Sequence, residues 1–222
     1  MRVLMSPKIK VGVRNMIVLA HDLLDGYAWV NGIEAWTVAV IQGRPIEDVI
    51  RIYGGDPNAP VGDYVFSEAD NLGSGDPDHP AFHLQAFTHD KYVIAIEPDG
   101  YTGSIPEIAR RCSASGGQFL SVYWNVNAAG MLTQALDGTI TAYFESLYPL
   151  APAEPAQPAE IRPPWAIGRE LEPALSWQAC LAHLQQQTGL ALDRAWLDAE
   201  TPTYRIPDPD AMLRDVPDAR QP

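Results

Sequence analysis

The residues best placed to do chemistry end two apolar runs in the middle of the chain. Glu97 closes a predicted strand that begins at Tyr92, and Glu145 closes another that begins at Thr139. Two carboxylates within reach of one substrate, with pKa values that are pushed apart, can serve as a general acid and a general base. Together with Arg110 on the helix that follows Glu97, they form the candidate catalytic set of a small hydrolase or transferase.

A second kind of site is indicated by the glycine-containing loop before that helix. Asp99, Gly100 and Gly103 lead into a helix N-terminus, where free N–H groups and the helix dipole favour an anion. The loop lacks the glycine spacing and the lysine of a nucleotide-binding loop. A tight turn followed by a helix that Ser104 and Glu107 cap explains the same residues. Asp99, Gly100 and Gly103 are therefore candidates for binding a ligand, and the alternative is that they only form the turn before the helix.

From Gln118 the sequence alternates as a strand does. One face is apolar and is predicted to be core: Leu120, Val122, Trp124 and Val126. The other face interleaves rings with amides, which could stack on a planar or sugar-like ligand and bond its edges: Phe119, Ser121, Tyr123, Asn125 and Asn127. The alternative is that Tyr123 packs under a helix while the asparagines make turn bonds. Tyr123, Asn125 and Asn127 complete the ligand-binding candidates.

Three histidines lie in residues 55–90, a segment rich in Gly, Pro, Asp and Asn that is predicted to be mainly loop. His79, His83 and His89 are separated by four and six residues, which matches no recognised metal site. We interpret them as solvated loop side chains. We expect neither a metal nor a cofactor, since no nucleophile elbow and no zinc motif occurs in the sequence.

The elements that position these candidates are two strand and helix units, then a strand and a hairpin. Trp36 to Ile41 is apolar on both faces, as in a central strand covered on two sides. A helix follows between Pro45 and Gly54, and the same order recurs in 92–113. Asp137-Gly138 is a strong hairpin signal. The pattern predicts an α+β fold, a mainly antiparallel sheet of about five strands with helices packed on it.

Composition divides the chain into five segments. They are a basic flexible arm at 1–15, an α+β core domain at 16–148, a Pro-rich linker at 149–164, a helical segment at 165–200 and a flexible tail at 201–222. The helical segment should dock on the core, because a lone amphipathic helix is marginal in water. His183 lies off the apolar stripe of that helix and is expected to face solvent.

Charge and cysteine content limit the partners. The net charge of −13 argues against nucleic acid or an anionic membrane as the primary ligand, since either requires a concentrated basic face. The two cysteines, Cys112 and Cys180, fall on apolar helix stripes and are interpreted as reduced, buried thiols. No apolar run is long enough for a membrane span. We expect a cytoplasmic protein; its oligomeric state is left open.

Several motifs resemble an uncharacterised family of bacterial proteins of unknown function. They are Glu97-Pro98-Asp99-Gly100-Tyr101-Thr102-Gly103, the run 106–111, Ser121-Val122-Tyr123-Trp124-Asn125-Val126-Asn127, Asp137-Gly138 and Phe144-Glu145. The resemblance extends over roughly residues 20 to 200. It implies a cytoplasmic bacterial protein and carries no established activity.

Three functions remain open at this point. The leading one is a non-catalytic binding or interaction protein, a regulatory, defence-associated or immunity-like module that recognises a protein or a small ligand on the Tyr123 to Asn127 side of the sheet. The alternatives are the carboxylate hydrolase or transferase, and a structural tether within a larger assembly.

Overall fold

The protein is built around one antiparallel sheet. A computed structural model describes residues 21–72, 81–127, 129–146, 160–166 and 173–222. Eight strands form the sheet in these ranges: β1 Trp36–Gln42, β2 Gly62–Tyr64, β3 Phe82–His89, β4 Tyr92–Glu97, β5 Gln118–Trp124, β6 Gly130–Leu136, β7 Thr139–Glu145 and β8 Thr201–Ile206. Their order is β2-β8-β3-β4-β1-β5-β6-β7, and every neighbouring pair is antiparallel.

Helices cover both faces of this sheet. They are α1 His21–Asp25, α2 Ile46–Ile52, α3 Phe66–Asn71, α4 Pro106–Ser113, α5 Pro173–Thr188 and α6 Pro209–Asp215. Short 3-10 helices occupy Ala28–Gly32, Thr102–Ser104, Pro164–Ala166 and Arg194–Trp196. The predicted α+β class with an antiparallel sheet is confirmed.

The first core lies between the sheet and α5. Trp36, Val38 and Val40 of β1 point into it. The ring of Trp124 on β5 stacks on Trp177 of α5 with centroids 5.2 Å apart. This face was expected from the alternation in β5, although Val126 just beyond the strand is 68% exposed instead of buried.

The second core lies on the opposite face, under α2, α4 and α6. Ala39 and Ile41 of β1 meet Val49 and Ile50 of α2 there, and Phe119 of β5 is fully buried beside them. The face of β5 that was interpreted as a ligand surface is thus covered by helices over most of its length. Alternation alone cannot reveal this, because a fully covered strand and a half-exposed strand can both place aromatic rings on a second face.

The predicted strand count of about five is wrong, since the described residues alone contain eight strands. β2 and β3 lie in the segment that was predicted to be mainly loop, and β8 lies in residues 201–222, which were expected to be a flexible tail. β3 alternates Phe82, Leu84 and Ala86 toward the second core with polar residues between them. The pattern was missed because the glycines and prolines in the same segment favour turns and loops.

The hairpin prediction is confirmed. Asp137 and Gly138 both have positive φ, 48° and 75°, and they join β6 to β7. Two positive φ values in a two-residue loop match the right-handed twist of the strands. The arm 1–15 and most of the linker 149–164 lie outside the described residues. At the end of that linker, Ile161 pairs with Tyr143 of β7.

Candidate functional site

A cleft opens at one end of the sheet, on the side of the first core. Its volume is about 690 Å³. Five separate segments build it: the 3-10 helix at residues 28–32 with the loop after it, α3, the turn after β4, the turn after β5, and the 3-10 helix at 194–196. The residues that line it are Trp29, Gly32, Ile33, Glu34, Ala35, Phe66, Ser67, Asp70, Asp99, Val126, Arg194, Leu197 and Asp198.

The two aromatic side chains of the cleft are held by the core beneath them. Trp29 and Phe66 both pack edge-on against the buried ring of Trp36, with centroids 5.9 Å and 6.1 Å away. Trp36 in turn packs on Trp124 at 4.9 Å. Edge-to-face contacts of this kind favour one geometry over others. The aromatic wall is therefore fixed by the same cluster that fills the core.

Backbone groups join the segments around the opening. The Phe66 N–H donates to the Leu197 carbonyl at 3.0 Å, which ties the start of α3 to the 194–196 helix. The Trp124 indole N–H donates to the Ile33 carbonyl at 3.1 Å and ties the loop after residue 32 to β5. The opening is thus framed by contacts that do not depend on a ligand.

A smaller recess of about 60 Å³ adjoins the cleft. Asp70 on α3 and Asp99 in the turn after β4 line both cavities, so the two spaces adjoin at these residues. The recess also contains His83 of β3, whose exposure is only 8%. Among the described residues, neither nitrogen of the His83 ring has a hydrogen-bond partner.

The electrostatics of this region are those of an acidic pocket. Partial burial raises the pKa of Asp70, although its side chain is largely exposed, and the nearby charges of Asp99 and Glu34 raise it further. Partial burial also raises the pKa of Asp99, which is exposed as well. Burial, followed by the charge of Arg205 on the adjacent strand, lowers the pKa of His83, which favours the neutral ring at neutral pH. Asp70, Asp99 and Glu34 form no ion pair in the part of the chain that the structure describes.

Glu97 lies away from this cleft, buried at the end of β4. Its two carboxylate oxygens accept hydrogen bonds from the N–H groups of Thr102 at 2.9 Å and Gly103 at 2.7 Å. Burial, the largest influence, raises its pKa to about 7, against the lowering effect of these bonds. The loop N–H groups that were predicted to hold an anion are therefore occupied by the carboxyl group of Glu97.

Gly100 and Gly103 serve this internal contact. A Cβ on Gly103 would lie 2.7 Å from the Tyr53 hydroxyl oxygen and 3.1 Å from a Glu97 oxygen, and one on Gly100 would meet the Glu97 carboxylate. The Thr37 hydroxyl donates to the Gly100 carbonyl at 2.6 Å. The structural interpretation of the loop is correct for its glycines, and only Asp99 of the three loop candidates reaches the cleft.

The expected helix cap is absent. α4 begins at Pro106 after Ile105 as its N-cap, and the Ser104 hydroxyl donates to the Tyr101 carbonyl at 2.7 Å instead of capping the helix. The Glu107 carboxylate pairs with Arg110 and Arg111. The predicted capping box is wrong because the 3-10 turn at residues 102–104 takes the serine out of register with the helix start.

Tyr123, Asn125 and Asn127 form a local hydrogen-bonded turn. The Asn125 amide donates to the Tyr123 hydroxyl at 2.6 Å, and its oxygen accepts from the N–H groups of Asn127 at 3.0 Å and Ala129 at 3.2 Å. The Asn125 amide, which was expected to bond a ligand, is thus used by the chain, as the turn alternative describes.

The carboxylates Glu97 and Glu145 do not meet. They lie in one row across the sheet, linked by the register pairs Glu97–Thr37, Thr37–Tyr123, Tyr123–Met131 and Met131–Glu145. Four strand spacings separate their backbones by about 19 Å. Glu145 accepts from the Gly130 N–H at 2.8 Å. No single substrate group can bridge such a pair.

Arg110 does not contact Glu97 or Glu145 either. Its guanidinium pairs with Glu107 at 3.0 Å and donates to the carbonyls of Asp218, at 3.1 Å, and Gln221. Its role is to join α4 to the residues that follow α6.

The expectation that His83 and His183 face solvent is wrong. His83, predicted to be solvated, belongs to β3 and is buried beside the recess. His183, expected to face solvent, is 3% exposed next to Trp165, and burial lowers its pKa to about 4. The signal for His83 was the alternation of Phe82, Leu84 and Ala86, which predicts a strand and so places His83 on the other face.

The donor set at the recess does not match a metal centre. Within the ranges that the structure covers, no group of three or more His, Cys, Asp or Glu side chains could hold a metal ion.

The described ranges also contain no helix long and apolar enough to cross a membrane.

The model of a family of unknown function, DUF6461, matches residues 20–194. The chain belongs to this family. The match includes the aromatic wall, α3, β3 and Asp99, while β8 and α6 lie beyond it. No curated protein and no solved structure matches the chain. Its family membership therefore names no reaction and no ligand, and the site has to be interpreted from its own chemistry.

Proposed function

We propose that this protein is a non-catalytic binding module that holds its ligand in the cleft beside Asp99. The observation that carries the proposal is the cleft itself, about 690 Å³ of space framed by five segments. Ligand sites commonly have volumes of roughly 300–1,000 Å³, with apolar walls and a few polar groups that orient the ligand. Trp29, Phe66 and Val126 supply such a wall here, and Asp99 and Arg194 supply charge.

The rim of the cleft supports a binding role for an apolar group. The Val126 side chain is 68% exposed on this rim, where an apolar residue gains nothing from water. Covering it with a ligand would remove apolar surface from water, which stabilises a complex by about 25 cal/mol per Å². The hydrolase alternative requires paired carboxylates, and the backbones of Glu97 and Glu145 lie about 19 Å apart.

The proposed setting is the bacterial cytoplasm, in a regulatory, defence-associated or immunity-like role. Cys112 and Cys180 are free and buried, and burial raises the pKa of each to about 12, which keeps both thiols protonated and unreactive. The net charge of −13 favours neutral or basic partners over nucleic acid or anionic membrane. These features support the proposed setting and a neutral or basic ligand.

A fragment screen by NMR tests the site. The purified protein, labelled with ¹⁵N, is titrated with small molecules of mixed charge while the indole N–H signals of its tryptophans are followed. We expect binders to shift the Trp29 signal. We also expect Val126→Arg, which places a long charged side chain on the rim, to weaken binding by about tenfold or more, since a charge must then be desolvated beside the ligand.

Leu136→Arg is the matched control. Leu136 is 54% exposed at the end of β6, away from the cleft lining, so the same chemical change there should leave binding intact. Binding that survives Val126→Arg, or that both variants weaken equally, would place the ligand elsewhere and contradict the proposal.

A further inference from the structure

We propose that the cleft binds a primary ammonium group, held in the recess between Asp70, Asp99 and His83, with the apolar arm of the ligand lying along Phe66 and Val126. This inference names the ligand class of the site and so rests on the proposed binding function. It concerns the cavity of about 60 Å³ where the two carboxylates meet the histidine.

His83 adds an unpaired imidazole to the two carboxylates that line the recess. His83 is more than nine-tenths buried, yet it lacks a hydrogen-bond partner among the described residues. Its nitrogens are not among the fully buried unpaired atoms of the described residues, so solvent reaches them, and a hydrogen-bonding group that enters the recess is the partner available to the ring. That partner must also suit Asp70 and Asp99, which line the same space.

An ammonium group satisfies all three side chains. It has three N–H donors, and the recess offers two carboxylates and a neutral imidazole, whose unprotonated nitrogen accepts. Its positive charge compensates Asp70 and Asp99, which lack an ion pair within the described ranges. An ammonium is also compact enough for a cavity that holds only one or two water molecules by volume.

Other cations fit less well. A metal ion needs ligand atoms converging at about 2.0–2.6 Å, and the described residues contain no such group. A guanidinium is planar and is best matched by a bidentate carboxylate, whereas these carboxylates come from two different elements, α3 and the turn after β4.

The connection between the two cavities sets the shape of the ligand. Asp70 and Asp99 line both the recess and the larger cleft, so a ligand whose ammonium group lies beside them has the cleft next to it for its remaining part. Phe66 and Val126 form apolar surface there. The ligand is therefore an amine on an apolar or aromatic arm, either a free molecule or a lysine side chain of a partner.

The test compares matched probes on the wild-type protein. Phenylbutylamine, its alcohol analogue phenylbutanol and the acid phenylvalerate are titrated by calorimetry and by NMR. We expect the amine to bind about 10- to 100-fold more tightly than the alcohol, the range expected for a charge-assisted hydrogen bond, and the acid to bind least. An N-acetyl-lysine amide, added as a fourth probe, distinguishes a lysine side chain from a free amine by its relative affinity.

Variants assign the effect to the recess. Asp70→Asn and Asp99→Asn should each weaken amine binding by about tenfold or more and leave alcohol binding unchanged. Glu68→Gln is the matched control, because Glu68 lies on α3 outside both cavity linings, and it should change neither. Both aspartates are exposed, so the variants should fold normally.

Two failures can be told apart. If amine and alcohol bind equally and Val126→Arg weakens both, the cleft is the binding site but the ammonium inference is wrong. If the fragment screen finds no ligand that Val126→Arg affects, the proposed function itself fails, and this inference fails with it.

Discussion

Glu97 illustrates how one buried side chain can replace a ligand that the sequence predicts. The loop after β4 presents N–H groups as an anion-binding loop does, and the Glu97 carboxylate accepts two of them. Its interior position is costly for a charge, which is why its pKa rises to about 7. Tyr53 lies against the same turn, and its buried hydroxyl has no hydrogen-bond partner among the described residues. Glu97 is therefore a structural acid that titrates near neutral pH.

The titration of Glu97 predicts a pH-dependent contribution to stability. Because the folded-state pKa of about 7 exceeds the ordinary value of 4.5, the folded protein retains a proton that the unfolded chain has released. The stabilisation is fully present below the unfolded-state pKa and is lost as pH rises through the folded-state pKa. The total change is about 3 kcal/mol, from about 1.4 kcal/mol for each pKa unit.

Glu97→Gln removes this titration and isolates it. We expect the free energy of unfolding of the variant, relative to wild type, to rise by about 3 kcal/mol between about pH 4 and about pH 8. Urea denaturation at a series of pH values measures the difference. A difference that stays constant over this range would mean that Glu97 titrates at an ordinary pKa in the folded protein.

At the scale of elements, the turn at 97–104 depends on close packing. Gly103 lies between Tyr53, which follows α2, Thr37 of β1 and Glu97 of β4, which leaves no room for a side chain. The same turn carries Asp99 to the cleft on the other side of the sheet. The internal packing of this turn and the position of a ligand-facing carboxylate are thus set together.

Gly103→Ala tests that packing. The new Cβ would lie 2.7 Å from the Tyr53 hydroxyl and 3.0 Å from a Thr37 methyl carbon, so we expect a loss of about 1–3 kcal/mol in unfolding free energy. Gly32→Ala is the control, since no atom lies within 4 Å of a Cβ there and the change should stay within about 0.5 kcal/mol. Equal stability of the two variants in chemical denaturation would contradict the close packing.

Across the whole molecule, the last residues complete the sheet and the second core. β8 lies between β2 and β3, so the end of the chain supplies an internal strand. α6 and the residues after it place Met212, Leu213, Val216 and Ala219 against the second core. The Ala219 carbonyl also accepts from the Glu107 N–H at 3.2 Å. The segment that was predicted to be a tail is therefore part of the folded unit.

Truncation at two points separates these contributions. A chain that ends at Ile206 keeps β8 but lacks α6, so apolar surface of the second core becomes exposed to water. It should fold with its unfolding free energy reduced by on the order of 4 kcal/mol. A chain that ends at Glu200 also lacks β8, and it should not fold cooperatively. Circular dichroism with thermal melts distinguishes the two, and a Glu200 truncation as stable as the full chain would refute the role of β8.

The sequence by itself determined the local parts of this protein: β1 as a doubly covered strand, the two strand and helix units, and the Asp137-Gly138 hairpin. These are set by periodicity and by turn residues a few positions apart, which any short window contains. It also singled out Asp99 and the 97–103 turn.

Only the tertiary structure decided how these parts combine. The pairing of β8 with β2 and β3 joins residues more than a hundred positions apart, and the helices over Phe119 turn a predicted ligand surface into core. The cleft is lined by segments that range from Trp29 to Asp198 in the sequence. His83 becomes a candidate binding residue only because the fold places it beside Asp70 and Asp99. The physical reason is that burial and electrostatic environment depend on neighbours in space, which local sequence patterns do not specify.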